Sequence, residues 1–86
     1  MKNDMKETAK VRLSVYKSDR EPQVEIILED TVDKCQLYVL RKAEEVVNEK
    51  GYCEMGLTID SCGLLRFNWF GENDEACVLE MIAPWA

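Results

Sequence analysis

Three features of the chain are of the kind that could do chemistry: four cysteines at positions 35, 53, 62 and 77, a carboxylate two positions from a thiol at Asp60 and Cys62, and an acid-rich run at Gly71-Glu72-Asn73-Asp74-Glu75. There is no histidine. Its absence removes the commonest general base and with it every Ser-His or Cys-His nucleophile pair. The cysteines are separated by 18, 9 and 15 positions. No C-x-x-C pair is present, so zinc-ligand spacing is lacking. Cys62 sits in the turn Asp60-Ser61-Cys62-Gly63, where an exposed thiolate would need a neighbouring cation or a helix N-terminus, and the adjacent Asp60 opposes negative charge instead. The run Gly71 to Glu75 offers oxygen ligands but lacks the spaced D-x-[DN]-x-[DN]-G pattern of a calcium loop. Gly51, Gly56, Gly63 and Gly71 are scattered, so no phosphate-cradling loop is encoded. These residues point to a protein without catalysis, cofactor or bound metal.

The elements that would position such groups follow from hydrophobic period. Thr31 to Lys50 is the one long run with helical periodicity: Val32, Cys35, Val39, Leu40, Ala43, Val46 and Val47 share a stripe, while Lys34, Arg41, Lys42, Glu45 and Glu49 point away. Asp30 or Thr31 can cap its start, and Lys50 followed by Gly51 suits its end. A competing pattern sets Cys35, Leu37 and Val39 on one face of a strand. Before the helix, Val11, Leu13 and Val15 alternate with Arg12, Ser14 and Tyr16, and Val24, Ile26 and Leu28 alternate with Glu25, Ile27 and Glu29, which predicts an antiparallel hairpin around a polar turn at Ser18 to Pro22. After Gly51 the period returns to two. Cys53, Met55, Leu57 and Ile59 face inward in a third strand; Leu65, Phe67 and Trp69 do so in a fourth; Ala76 to Ala83 supplies a fifth, and Pro84 ends it. The order is ββαβββ, an α+β domain with one helix layered on a sheet. A β-grasp arrangement with a mixed sheet and a simple antiparallel sandwich both fit that order. Residues 1 to 8 read as a flexible polar leader and 9 to 86 as a single domain.

Composition bounds the function. Eighty-six residues with 47% hydrophobic and 33% charged side chains make one globular domain. No stretch approaches ~18 consecutive apolar residues, and the polar start lacks the apolar core of an export signal, so the expected compartment is the cytoplasm, with free thiols and no membrane partner. The net charge of −6 is unevenly spread: residues 1 to 20 hold six basic against three acidic side chains, and residues 21 to 86 hold five against fourteen. So acidic a body disfavours direct nucleic-acid binding and favours a protein partner with a basic surface. Stacked-base recognition through Tyr16, Phe67, Trp69 or Trp85 would need basic neighbours, and Trp69 shares the phase of Leu65 and Phe67, which places it in the core.

Two surfaces follow. The first is acidic: Glu25, Glu29, Asp30 and Asp33 around the helix start, with Glu72, Asp74 and Glu75 in the last turn. Carboxylates there could stand where phosphates would sit, making the protein an inhibitor that occupies the nucleic-acid-binding surface of its partner. The second is apolar. One helix cannot cover five strands, and the far face of the sheet carries Tyr16, Ile27, Leu64 and Phe70, joined by Val78 and Ile82 if the last strand keeps phase. A face of this kind suits a homodimer, with or without a small apolar ligand enclosed between two copies. On the helix, Leu37 lies opposite the core stripe and is a further apolar anchor. The expected function is thus a small non-catalytic protein-binding module.

Overall fold

A computed structural model describes residues 8–51 and 54–85. In chain order the elements are β1 (Thr8–Lys17), β2 (Arg20–Thr31), α1 (Val32–Lys50), β3 (Gly56–Ile59), β4 (Leu65–Phe70) and β5 (Ala76–Ile82), with a single 3-10 turn at Glu72–Asp74 between the last two strands. The fold is α+β. Its five strands form one sheet in the order β2-β1-β5-β4-β3, and each neighbouring pair is antiparallel. A β-grasp arrangement needs a mixed sheet, so that expectation is corrected. Thr8 opens β1 opposite Thr31 and is no part of a leader; positions 1–7 lie outside the described residues, as does Cys53.

The helix begins and ends where its caps dictate. Thr31 is extended and its Oγ1 accepts from Lys34 N at 3.3 Å, while Asp33 lies in the first turn, beside the positive end of the dipole. At the other end Gly51 takes φ +78 and donates its N–H to Val47 O, a conformation that side chains disfavour. Cys35, Val39, Ala43 and Val46 are buried, one or two turns apart on one stripe. Leu40, expected on that stripe, is 45% exposed.

The reason lies in how the helix crosses the sheet. Near its start, Cys35 Sγ approaches Ala9 O at 3.5 Å, at the end of the sheet where Thr8 faces Thr31 and Lys10 faces Ile82. Near its finish, Lys50 Nζ donates to Phe70 O at 3.1 Å, at the opposite end, where Phe70, Ala76 and Tyr16 stand side by side. The helix therefore runs diagonally, packing on β1, β2, β4 and β5. Two wedges of the same sheet face stay uncovered. One is a shallow cleft lined by Leu13, Val15, Gln23, Val24 and Glu25. The other lies along β3.

The core fills the middle of the diagonal. Val11, Cys35, Val39, Phe67 and Leu79 are fully buried. Phe67 and Trp69, two apart on β4 and so on one face, stack at 4.9 Å between ring centroids. Lys42, which the periodicity turns to solvent, lays its ammonium 5.8 Å from the Trp69 ring centroid.

Strand phase departs from simple alternation in β2. Val11 pairs with Leu28 but Arg12 pairs with Ile26, so Ile27 is an extra residue without a partner opposite. Such a bulge reverses the faces beyond it. Glu25 consequently stands opposite the inward-facing Leu13, and Val24 and Ile26 turn to the other face, where both are exposed. Ile27, expected on the open face, packs against the core instead. Pro22 lies within β2, on the edge of the sheet, where its missing N–H costs no ladder bond.

The turn before β4 is built by one carboxylate. Asp60 Oδ1 accepts from Cys62 N at 2.9 Å and from Leu64 N at 3.0 Å, and Gly63 at φ +85 returns its N–H to Asp60 O. Gln36 Nε2 then donates to Gly63 O at 2.7 Å and ties the turn to the helix. Leu64, the residue that follows, is drawn in against the core, which removes it from the open face where alternation had set it.

Candidate protein-interaction surfaces

Residues directly opposite one another on neighbouring strands share a face, so the register maps the face turned away from the helix. At one end, Tyr16 and Phe70 flank Ala76 on either side of β5. Next come Val24, Ser14, Val78 and Asn68 in a row, and then Ile26, Arg12, Glu80, Arg66 and Thr58. Ile82 sits beside Lys10 further on. The half of this face at the Phe70 end carries Tyr16, Ala76, Phe70, Val24 and Val78, with Ser14 and Asn68 among them. Its two aromatics are 45% and 49% exposed for Tyr16 and Phe70 respectively. Across its middle runs a charged ladder in which Arg12 Nη2 meets Glu80 Oε1 at 2.8 Å and Arg66 Nε lies 4.0 Å from Glu80 Oε2.

Of the apolar residues singled out from sequence, Tyr16 and Phe70 are thus brought together, with Val78 and Ile82 on the same face. Ile27 and Leu64 are not. Their places are taken by Val24 and Ile26, whose signal was hidden by the bulge. Leu37 is exposed on the outer surface of α1, as is Tyr38 next to it.

The acidic residues do not gather on one surface. Glu29, Asp30 and Asp33 stand at the end of the sheet where β2 passes into α1, and Asp30 Oδ1 is occupied by Thr31 N at 2.7 Å. Glu25 lies beyond the bulge, on the helix side. Glu72, Asp74 and Glu75 belong to the turn between β4 and β5 at the opposite end, where Glu75 Oε2 meets Lys17 Nζ at 3.0 Å. That turn is closed by Gly71 N to Glu75 O at 2.8 Å, with Asn73 in the left-handed region at φ 57, which asparagine tolerates well.

Chemical groups are placed as structural parts. Cys35 is enclosed, with Sγ directed at the carbonyls of Ala9 and Asp30. Burial pushes its thiol up from the ordinary value, and the same cause raises Cys77. Both are free cysteines, and so is the exposed Cys62. Among the described residues no group of three His, Cys, Asp or Glu side chains is arranged to hold a metal ion. A cleft of about 450 Å³ opens where β1, β2 and β5 meet, lined by Thr8, Ala9, Lys10, Glu29, Ile82, Ala83 and Pro84. Trp85 stands close by and donates its indole N–H to Thr8 O at 2.6 Å. No helix among the described residues is long and apolar enough to cross a membrane. Comparison with protein-family models, with curated proteins and with solved structures finds no match to the chain.

Leu57 and Ile59 were missed as surface residues. They stand opposite Phe67 and Leu65 and so face the helix side, yet Ile59 is 61% and Leu57 45% exposed. The strand begins only at Gly56, later than the alternation from Cys53 predicts, and the sequence signal of an open surface is the closeness of Glu54 and Asp60 on either side.

Proposed function

We propose that the protein is a small non-catalytic binding module of the cytoplasm that docks another protein chain on the open face of its sheet, in the simplest arrangement a second copy of itself. The observation that carries this reading is the pairing of Tyr16 and Phe70 around Ala76 on a face with no helix over it among the described residues. Exposed aromatics grouped beside Val24 and Val78 are what an interface core is made of, and the Arg12, Glu80 and Arg66 ladder supplies the polar portion that fixes orientation. Buried free thiols at Cys35 and Cys77 suit a reducing compartment. The version in which acidic groups occupy a basic partner's nucleic-acid-binding surface has its best support in Glu29, Asp30 and Asp33 at the helix start.

Sedimentation of the purified chain over a range of concentrations tests the reading. The unaltered protein is expected to sediment as a dimer and Phe70→Glu as a monomer with an unchanged circular dichroism spectrum, because two carboxylates would then have to be buried unpaired across the symmetry axis. A monomer at every concentration, or a dimer indifferent to Phe70→Glu, overturns pairing of two copies through this face.

A further inference from the structure

The two edges of the sheet are unlike. The β2 edge carries the features by which exposed edges avoid pairing: Pro22 removes a donor, the bulge at Ile27 breaks the ladder, and Glu21, Glu25 and Glu29 put charge along it. The β3 edge carries none of them. Gly56-Leu57-Thr58-Ile59 has no proline and no charge, it pairs with β4 without a register shift, and its other side meets no strand among the described residues. It therefore presents backbone N–H and C=O groups as a template for one more strand.

Beside that edge lies the second wedge left by the diagonal helix. Gln36 reaches Gly63 O, so this flank of α1 is turned toward the β3–β4 turn, and the exposed Leu40 follows one turn further along the same flank. Leu57 and Ile59 rise from the sheet toward it. All three are exposed leucine or isoleucine side chains. Helix flank and strand edge thus form an apolar trough, the arrangement that receives extended peptides by strand addition.

Charge selects the occupant. Glu54 and Asp60 stand at the two ends of β3 and Glu44 follows Leu40 by one turn, all exposed. The neighbouring cations are directed elsewhere: Lys50 holds the Phe70 carbonyl, and Arg66, opposite Thr58, belongs to the other face. A second copy pairing antiparallel along this edge would bring Glu54 up to Asp60 of the second copy, like charge against like. We propose that β3 is the docking edge for an extended basic segment of another protein, which adds as a sixth strand, sets alternate apolar side chains against Leu40, Leu57 and Ile59, and places lysine or arginine beside Glu54 and Asp60.

Panning a phage-displayed library of random 12-residue linear peptides against the full chain at low salt tests this, followed by titration of the enriched peptides by fluorescence anisotropy. The expected peptides alternate apolar residues and carry net positive charge. Leu57→Lys is expected to weaken their binding about tenfold or more, and binding is expected to slow amide hydrogen exchange within Gly56–Ile59. Leu57 is exposed, so its replacement leaves the fold intact. Phe70→Glu is expected to leave peptide affinity unchanged, which separates this site from the open sheet face. Failure to enrich any peptide, enrichment of acidic ones, or binding that neither Leu57→Lys nor exchange at β3 registers overturns the proposal.

Discussion

Phe67→Ala is expected to cost most of the stability of the domain, while Phe70→Ala, three residues along the same strand, is expected to cost less than about 1 kcal/mol. Phe67 is 1% exposed, lies opposite Leu79 on the adjoining strand and stacks on Trp69. Removing a buried phenylalanine ring forfeits both its transfer energy and the contacts of the void left behind, in total about 3–5 kcal/mol. An 86-residue domain has little beyond that to lose, since natural domains are stable by only about 5–15 kcal/mol and small ones fall at the lower end. Phe70 instead points to the open face. Urea unfolding followed by tryptophan fluorescence measures both variants under conditions where the chain is monomeric. Equal midpoints for the two would contradict the inward placement of Phe67.

Alkaline pH is expected to unfold the protein earlier than exposed thiols would allow. Cys35 and Cys77 are both raised above the ordinary thiol value of 9.0 by burial; at Cys77 the carboxylate of Glu75 adds to the effect, and a backbone hydrogen bond at Gly71 with the nearby Lys50 and Lys42 only partly offsets it. Below 9.0 both folded and unfolded chains keep these protons, and stability does not depend on them. Above 9.0 the unfolded chain releases them while the folded chain still holds them, so the unfolded state binds fewer protons and stability falls as pH rises, until the folded thiols ionise as well. Each thiol contributes a slope of up to about 1.4 kcal/mol per pH unit in that window. Urea midpoints measured from pH 8 upward, for the parent chain and for a Cys35→Ala, Cys77→Ala double variant, isolate the contribution by difference. Parallel curves would show that neither thiol is held in its protonated form by the fold.

The helix is the most legible element in the sequence, because its stripe, its Thr31 cap and its Gly51 stop are all local. The existence and order of the strands are legible for the same reason, but β2 begins at Arg20 inside the expected turn and β3 begins only at Gly56. Strand faces are legible only where alternation is unbroken: β1 and β4 read correctly through Val11, Phe67 and Trp69. In β2 the bulge at Ile27 is a property of the pairing with β1, and no residue type announces it. Leu57 and Ile59 read as inward and do face inward, but whether anything covers them depends on strand order and on the angle at which the helix crosses the sheet. Leu40 departs from its stripe for the same cause. Of the candidate surfaces, Tyr16 and Phe70 were visible from period alone. Ile27 and Leu64 were not, since a bulge and a turn built on Asp60 draw them inward. The scatter of the acidic residues to both ends of the sheet follows from topology, which composition does not encode.

The pairing at the centre of the sheet has a consequence for how the chain comes to be folded. β1 and β5 are the first and last strands among the described residues, and they lie side by side, with Lys10 opposite Ile82. The hairpin β1–β2 and the meander β3–β4–β5 are each local units, but the seam that joins them closes a loop spanning nearly the whole chain, and such closure is entropically expensive and slow. During synthesis from the N-terminus, the hairpin and the helix can pack on each other, but β1 has no strand on its other side until β5 has left the ribosome. The nascent chain therefore passes through a period in which Val11 and Leu13 are made, paired on one side only, and open to chaperones or to a neighbouring chain in place of their own last strand.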